Sequence, residues 1–237
     1  MTSEHVSVER RDSVLIVHLD DGKANALSPS IIAAIGAALD TAESDDTIGA
    51  LVLHGREGKF CAGFDLSIMR SGDLAAMSSL VSDGGDLVSR LYGSPVPIVA
   101  ACTGHALAAG ALVLLGCDVR VGADVDCKIG LNEVAIGMVL PTWALSIAVE
   151  RLSRRHLQLA VATARVTDGA GAVDVGFLDE VVAVDNVLDT AILRATELAA
   201  LSARAYAGTV RALRGELLAR MADEIASDRR LGTVPTV

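Results

Sequence analysis

The sequence predicts an α/β fold with a largely parallel sheet, on three observations. Short apolar runs recur, each followed by a glycine-bearing turn and then by apolar residues at helical spacing. This β-then-α order repeats along the chain, which favours parallel strands with helices on the faces of their sheet. Hydrophobic residues make up 51% of the chain and aromatic ones only 3%, so Ala, Val, Leu and Ile must fill the core, and these suit helices laid on a sheet.

Taken in order, Val6-Ser7-Val8-Glu9 alternates, Arg11-Asp12-Ser13 turns, and residues 14–19 form the partner strand of a hairpin. Ser28-Pro29 reads as an N-cap followed by proline at the first helical position, and Ile31, Ile32, Ile35 and Leu39 continue the helix to Ala42. Residues 48–53 and 97–102 are further strands, each leading through a turn into a helix-like run. Residues 67–93 are more polar and punctuated by glycine, which predicts a mobile loop followed by a helix over 87–91. Beyond Pro141, helices are expected at 143–152, 155–164, 170–175, 188–201 and 203–227. Such a tail has little sheet left to cover, and its Ala/Leu-rich faces suit a neighbouring subunit. The chain accordingly divides into a core over residues 1–185, which holds the functional site, and a helical region over 186–237 engaged in oligomerisation.

The 237 residues carry a formal net charge of −10, and no basic run exceeds the pairs Arg154-Arg155 and Arg229-Arg230. Nothing offers a stripe to a nucleic-acid backbone. An acidic protein can still bind an anionic ligand through backbone N–H groups and a few local cations. Cys61, Cys102, Cys117 and Cys127 are unevenly spaced and lack any CxxC, so neither a disulfide framework nor a zinc site is indicated. The histidines His18, His54, His105 and His156 lack metal-ligand spacing. There is no secretory h-region and no uninterrupted apolar span, so the chain is expected to be soluble and cytoplasmic, away from the membrane. Serine-hydrolase elbows, Walker loops and dinucleotide fingerprints are absent from the sequence.

Two strand-to-helix turns carry the candidate chemistry: Lys59-Phe60-Cys61-Ala62-Gly63-Phe64-Asp65-Leu66, and the run from Gly104 through Ala108, Ala109 and Gly110 to Leu112. Small residues in a turn serve tight packing, but two such turns can also each aim a free backbone N–H into one crevice at the carboxyl ends of the strands. Two donors converging there would form an oxyanion hole.

These turns resemble a known family when read with Cys117-Asp118, with Ile129-Gly130-Leu131-Asn132-Glu133 and Gly137, and with Asp174-Val175-Gly176-Phe177-Leu178-Asp179-Glu180-Val181-Val182. The family is the crotonase, or enoyl-CoA hydratase/isomerase, superfamily, and the motifs stand in its usual order from about Val6 to Val182. The resemblance implies a crotonase (ClpP-like) spiral fold of repeated ββα units with a C-terminal helical trimerisation region. It implies a homotrimer or a dimer of trimers and a place in fatty acid β-oxidation. The coenzyme A thioester would be the substrate, with no separate cofactor and no metal. The backbone N–H groups of Phe64 and Ala109 would hold the thioester oxygen, and Ala24, Ala26, Ala62, Asp65 and Leu66 would line the CoA nucleotide site. Glycine is common in the family at the position of Ala109, so the methyl of Ala109 must point away from the thioester.

Hydratases of this family carry two glutamates; here the first position is Leu112 and the second is Glu133. Adding water needs one group to orient and deprotonate the nucleophile and another to manage the remaining proton, and leucine removes half of that apparatus. The motif around Glu133, followed by Pro141-Thr142-Trp143, is similar to Δ3,Δ2-enoyl-CoA isomerases of mitochondrial type. In such an enzyme Glu133 would take a proton from C2 and return one at C4, and Leu112 would form an apolar wall that raises the glutamate pKa. Trp143 either joins the core or floors an acyl tunnel beside Leu112. Asp118 is expected to be structural, closing a turn or pairing with Arg120. Two other readings stand beside the isomerase: a hydratase working with one glutamate, and a non-catalytic acyl-CoA-binding paralogue.

Overall fold

The computed structural model describes residues 5–232; the outer ends of both predicted regions, residues 1–4 and 233–237, lie outside them. The chain opens with the hairpin β1 (Val6–Arg11) and β2 (Val14–Leu19), then helix α1 (Pro29–Ser44). The next unit is β3 (Ala50–Gly55), β4 (Gly58–Cys61), the single turn α2 (Leu66–Met69) and the long helix α3 (Leu74–Gly93). A third unit follows as β5 (Ile98–Cys102), β6 (Gly104–Leu107) and α4 (Ala109–Gly116), and a fourth begins with β7 (Val119–Ala123) and β8 (Ile129–Gly130). Helices α5 (Thr142–Arg151), α6 (Leu157–Val161) and α7 (Gly169–Val175) lead to β9 (Glu180–Val182), and α8 (Val187–Ala199) and α9 (Ala203–Leu231) complete the described chain.

The strands alternate between two sheets. One has the order β1-β2-β3-β5-β7-β9, antiparallel only between β1 and β2; the other is the parallel set β4-β6-β8. Each large-sheet strand from β3 to β7 is thus followed at once by a small-sheet strand, giving a spiral of repeated ββα units. The short strands β4, β6 and β8 lie within what the sequence reads as turns and loops.

Side-chain alternation explains how the large sheet is covered on both faces. Val14, Ile16, Ala50, Val52, Val99, Ala101 and Val121 meet Val187, Ala191 and Ala195 of α8 on one face. Leu15, Val17, Leu51, Leu53, Ile98 and Ala100 join the main core on the other. The expectation that the tail has little sheet to cover therefore fails for α8, whose alanines let it lie close on the strands. Helix α9 instead packs on α3 and α5 through Leu217, Met221 and Ile225, while Leu193, Leu201 and Leu213 remain exposed on the outer side.

Helix α1 forms as its sequence directs: the Ser28 hydroxyl accepts from Ile31 N–H at 3.3 Å, and Ile31, Ile35 and Leu39 are buried. Residues 67–93 differ from expectation, because helix occupies 74–93 rather than 87–91. Asp73 caps it, accepting from the N–H groups of Ala75 and Ala76 at 3.0 Å each. Gly84 and Gly85 are close-packing positions here, not breaks: a Cβ at Gly84 would strike the Phe64 ring, and one at Gly85 would lie 2.9 Å from Trp143 Cε2. Among the described residues no helix is long and apolar enough to cross a membrane.

Candidate active site

The site is built where three small-sheet strands end. After β4, Ala62 N–H donates to Ala24 O at 3.0 Å, Leu27 N–H donates to Gly63 O at 2.8 Å, and Asp65 N–H donates to Leu27 O at 3.0 Å. Leu27 thus bonds to the residues on either side of Phe64, so in extended backbone the Phe64 N–H points to the opposite side. Gly63 at φ 102° makes the turn possible.

After β6, Ala108 N–H donates to Gly130 O at 3.0 Å, and α4 starts at Ala109. Ala109 is the first helical residue, so its N–H has no acceptor within the helix. The two turns touch: a Cβ placed on Gly63 would lie 3.3 Å from Ala108 Cβ and 4.0 Å from Ala109 N. Gly110 is needed because a Cβ there would collide with the Cys61 carbonyl. The family's glycine preference finds its physical counterpart one residue before the expected place. Ala109 is helical, whereas Ala108 sits at φ 50°, ψ −122°, a region that glycine favours.

After β8 comes Leu131-Asn132-Glu133 and a short 3₁₀ turn, Val134–Ile136, closed by Gly137 at φ 75°. The Glu133 carbonyl accepts from Ile136 N–H at 3.0 Å and from Met138 N–H at 2.9 Å, fixing its backbone. Glu133 is only 6% exposed, and its Oε2 has no hydrogen-bond partner among the described residues. Burial pushes its pKa up to about 7.

A cleft of about 210 Å³ opens between these three segments. Ala62, Phe64, Leu66, Leu112 and Glu133, all singled out in the sequence, line it together. Glu133 is the one acid and Arg70 the one cation in the lining. Leu112 stands one turn into α4, in a helix whose eight residues are all buried. Ala24 and Ala26 lie beside this cleft through the Ala24–Ala62 hydrogen bond rather than in its wall. Asp65 caps α2, with Oδ1 accepting from Ser67 N–H at 2.8 Å and from its hydroxyl at 2.7 Å. Trp143 does not reach the cleft: it is fully buried against Gly85 and Ile225, because α5 turns its ring inward toward α3 and α9.

The remaining candidates lie elsewhere. Asp118 pairs with Arg214 at 2.7 Å, not with Arg120, which is bound to Asp179 at 2.6 Å. His18 and His54 approach each other at 2.9 Å, and His105 Nδ1 accepts from Lys128 N–H. Sequence reasoning missed three residues. Asn25, at φ 50° and 1% exposed, donates to Leu19 O, Lys59 O and Phe60 O, pinning the Ala24–Ala26 loop against β4. An asparagine among alanines just after Asp-Asp-Gly was the available signal for a left-handed turn. Asn132 lines the cleft with a buried, unpartnered Oδ1, and Ala108 holds the strained turn.

Comparison with known proteins agrees with this geometry. A family model described as enoyl-CoA hydratase/isomerase matches residues 9–235. The Mycobacterium tuberculosis protein named "Probable enoyl-CoA hydratase echA8" is 30% identical over 233 residues, covering 98% of this chain and 89% of its own. Mouse mitochondrial enoyl-CoA delta isomerase 1 is 33% identical over 184 residues, covering 77% of this chain and 64% of its own. The apo structure of an enoyl-CoA isomerase of Mycobacterium tuberculosis superposes with a TM-score of 0.90 at 39% identity, covering 97% of this chain and 99% of that one. Human mitochondrial Δ3-Δ2-enoyl-CoA isomerase gives 0.91 at 27% identity, covering 97% and 90%. With its ββα spiral, its paired turns and its match along nearly the whole sequence, the chain is a crotonase-fold member of the enoyl-CoA hydratase/isomerase family.

Proposed function

We propose that this enzyme shifts the double bond of a 3-enoyl-CoA to the conjugated 2-trans position. The observation that carries the reading is Glu133, the only acid in the cleft, buried beside Leu112 where a hydratase of the family has its other glutamate. A double-bond shift needs one group that takes a proton and gives it back. A carboxyl with a pKa of about 7 is matched to both halves of that task near neutral pH.

In this reading the thioester oxygen sits between the N–H groups of Phe64 and Ala109. Glu133 removes a proton from C2, and the electron pair delocalises through the C3–C4 double bond and the thioester into a dienolate. The two N–H donors, fixed before the reaction begins, stabilise the oxygen as it gains charge. Glu133 then delivers the proton to C4 and is regenerated. Leu112 keeps a second base away from the dienolate. Ala62 and Leu66, with Ala24 and Ala26 beside them, take the CoA side of the cleft.

The test is direct. Purified protein is given a 3-enoyl-CoA and, separately, a 2-trans-enoyl-CoA, and conjugated thioester absorbance is followed. It should rise faster with the first than it falls with the second; the reverse order would make the enzyme a hydratase, and no change with either would leave the non-catalytic acyl-CoA-binding reading.

A further inference from the structure

We propose that the acyl tail of the substrate leaves the cleft past Met138 and lies in a second groove, so that the enzyme selects long, unbranched 3-enoyl-CoAs. The inference rests on the isomerase reading for where C4 sits. Beside the cleft, a groove of about 340 Å³ runs between the loop that follows Glu133 and helices α5 and α6. Val134, Met138, Val139, Leu140, Leu145 and Val161 border it, and no residue of its lining carries a polar or charged side chain. Arg70, the one cation of the cleft, is not among them. Met138 belongs to both linings and is therefore the wall between the two spaces.

Glu133 fixes where the chain must pass. Its carbonyl accepts from Met138 N–H at 2.9 Å, so the proton carrier and Met138 are held in one tight loop, with Gly137 at φ 75° between them. A carboxyl that serves C2 and then C4 keeps C4 beside this loop, and the carbons beyond C4 continue along it. Methionine suits such a wall, since it is unbranched, turns about three bonds and yields to an apolar neighbour. Val134 and Val139 are 47% and 57% exposed, which leaves an uncovered apolar rim continuous with the cleft. An alkyl tail laid there removes apolar surface from water on both sides. A carboxylate-tipped tail would meet no donor side chain there. A six-carbon chain has two carbons beyond C4 and stops about level with Met138, whereas a twelve-carbon chain has eight and needs the groove.

Two measurements test the tail site apart from the chemistry. Calorimetry with saturated acyl-CoAs needs no turnover: dodecanoyl-CoA should bind about tenfold or more tighter than hexanoyl-CoA, given about fourfold for each methylene fully buried. Steady-state kinetics gives the ratio of kcat/KM for 3-dodecenoyl-CoA to that for 3-hexenoyl-CoA, which partial unfolding of a variant leaves unchanged. Ala162→Asp sets a carboxylate at the exposed edge of the groove and should lower both preferences about tenfold. Met138→Trp thickens the wall and should lower them at least about threefold. Equal affinity for the two saturated acyl-CoAs, or a chain-length preference unchanged in either variant, would overturn the proposal. So would an Ala162→Asp variant whose oligomeric state changes on gel filtration while both chain lengths lose activity equally, because the groove would then be covered by a second copy of the chain. If neither 3-enoyl-CoA is conjugated, yet dodecanoyl-CoA keeps its advantage and Ala162→Asp removes it, the isomerase reading falls and the tail site stands.

Discussion

Two shielded acids in this molecule, Asp118 half-buried and Glu133 buried, are treated in opposite ways. Asp118, at the start of β7, has both oxygens engaged: Oδ2 accepts from Ile98 N–H at 2.7 Å and from the Tyr206 hydroxyl at 2.9 Å, and Oδ1 from Arg214 at 2.7 Å. Arg214 in turn donates to Tyr92 O and lies over the Tyr92 ring, 4.5 Å from its centroid. Glu133 makes no ion pair among the described residues, although Arg70 lines the same cleft, and its Oε2 has no hydrogen-bond partner there. The first arrangement neutralises a charge in order to dock α9 on the core. The second leaves a carboxyl poised between its two protonation states, and a perturbed acid in a cleft is what proton transfer requires. On the proposed reading of Glu133, the comparison separates a fold-holding residue from a chemistry-bearing one by partner count, since both carboxyls are shielded from solvent.

The largest effect expected from this contrast is on turnover. Glu133→Gln keeps size and hydrogen bonding but cannot accept a proton. Conversion of a 3-enoyl-CoA should fall by about 10²–10⁴-fold, while the affinity for a saturated acyl-CoA stays within about threefold. Steady-state kinetics alongside calorimetric binding measures both. Full activity in this variant would break the comparison outright.

The mirror experiment acts on the other acid. Asp118→Asn leaves the half-buried Arg214 without its counter-charge, which costs roughly 1–3 kcal/mol of folding stability. Turnover per folded molecule should stay within about threefold, since Asp118 is not part of the cleft lining. Urea denaturation with an activity measurement on the folded fraction checks this. A catalytic loss without a stability loss would mean that α9 transmits to the site.

A third prediction sharpens the contrast through pH. Burial raises the folded-state pKa of Glu133 from 4.5 to about 7, so the ionised form is disfavoured by folding. Its contribution to stability is therefore complete below pH 4.5 and is lost as pH rises through about 7. The corresponding penalty at pH 8 is roughly 3 kcal/mol. Glu133→Gln should melt at a higher temperature than wild type at pH 8 and at nearly the same temperature at pH 5. Equal melting temperatures at both would show that solvent reaches the carboxyl. In the same range, wild-type kcat/KM should rise with pH through about 7, because the base must be ionised to take a proton.

How much of this was legible in the sequence follows from how local each cause is. The helix-start signals at Ser28-Pro29 and the strand runs acted locally and read correctly. The paired turns and Glu133 were recognisable as ordered motifs. Helix α3 was not, because Gly84 and Gly85 look like breaks until Phe64 and Trp143 are seen packed on them. Strands β4 and β6 have four residues each and β8 only two, too short for any periodicity to show. The partner of Asp118 stands 96 residues away, while Arg120 stands close by in the sequence. Asn132 looked like one letter of a motif, since an orphaned oxygen is a property of three-dimensional surroundings.

The smallest effect expected lies in the turn that leads into α4. Ala108 holds φ 50°, ψ −122° and lines the cleft immediately before the Ala109 N–H. Its Cβ makes that conformation costly, by about 1–3 kcal/mol. The turn persists because Ala108 N–H is tied to Gly130 O at 3.0 Å and Leu112 N–H to Ala108 O at 3.1 Å. Glycine would relieve the strain but enlarge the entropy of the unfolded chain, which takes back about 0.5–1 kcal/mol. Ala108→Gly should therefore stabilise the protein by about 1 kcal/mol, read as a higher urea midpoint at unchanged slope. Because the hydrogen bonds that define the turn are backbone ones, isomerisation should stay within about threefold. A destabilised variant would show that the Ala108 methyl contributes more by packing against Gly63 than it costs in strain. The comparison would then extend to the backbone: this turn, like Asp118, would be built to hold the fold, and Glu133 alone would bear a cost for chemistry.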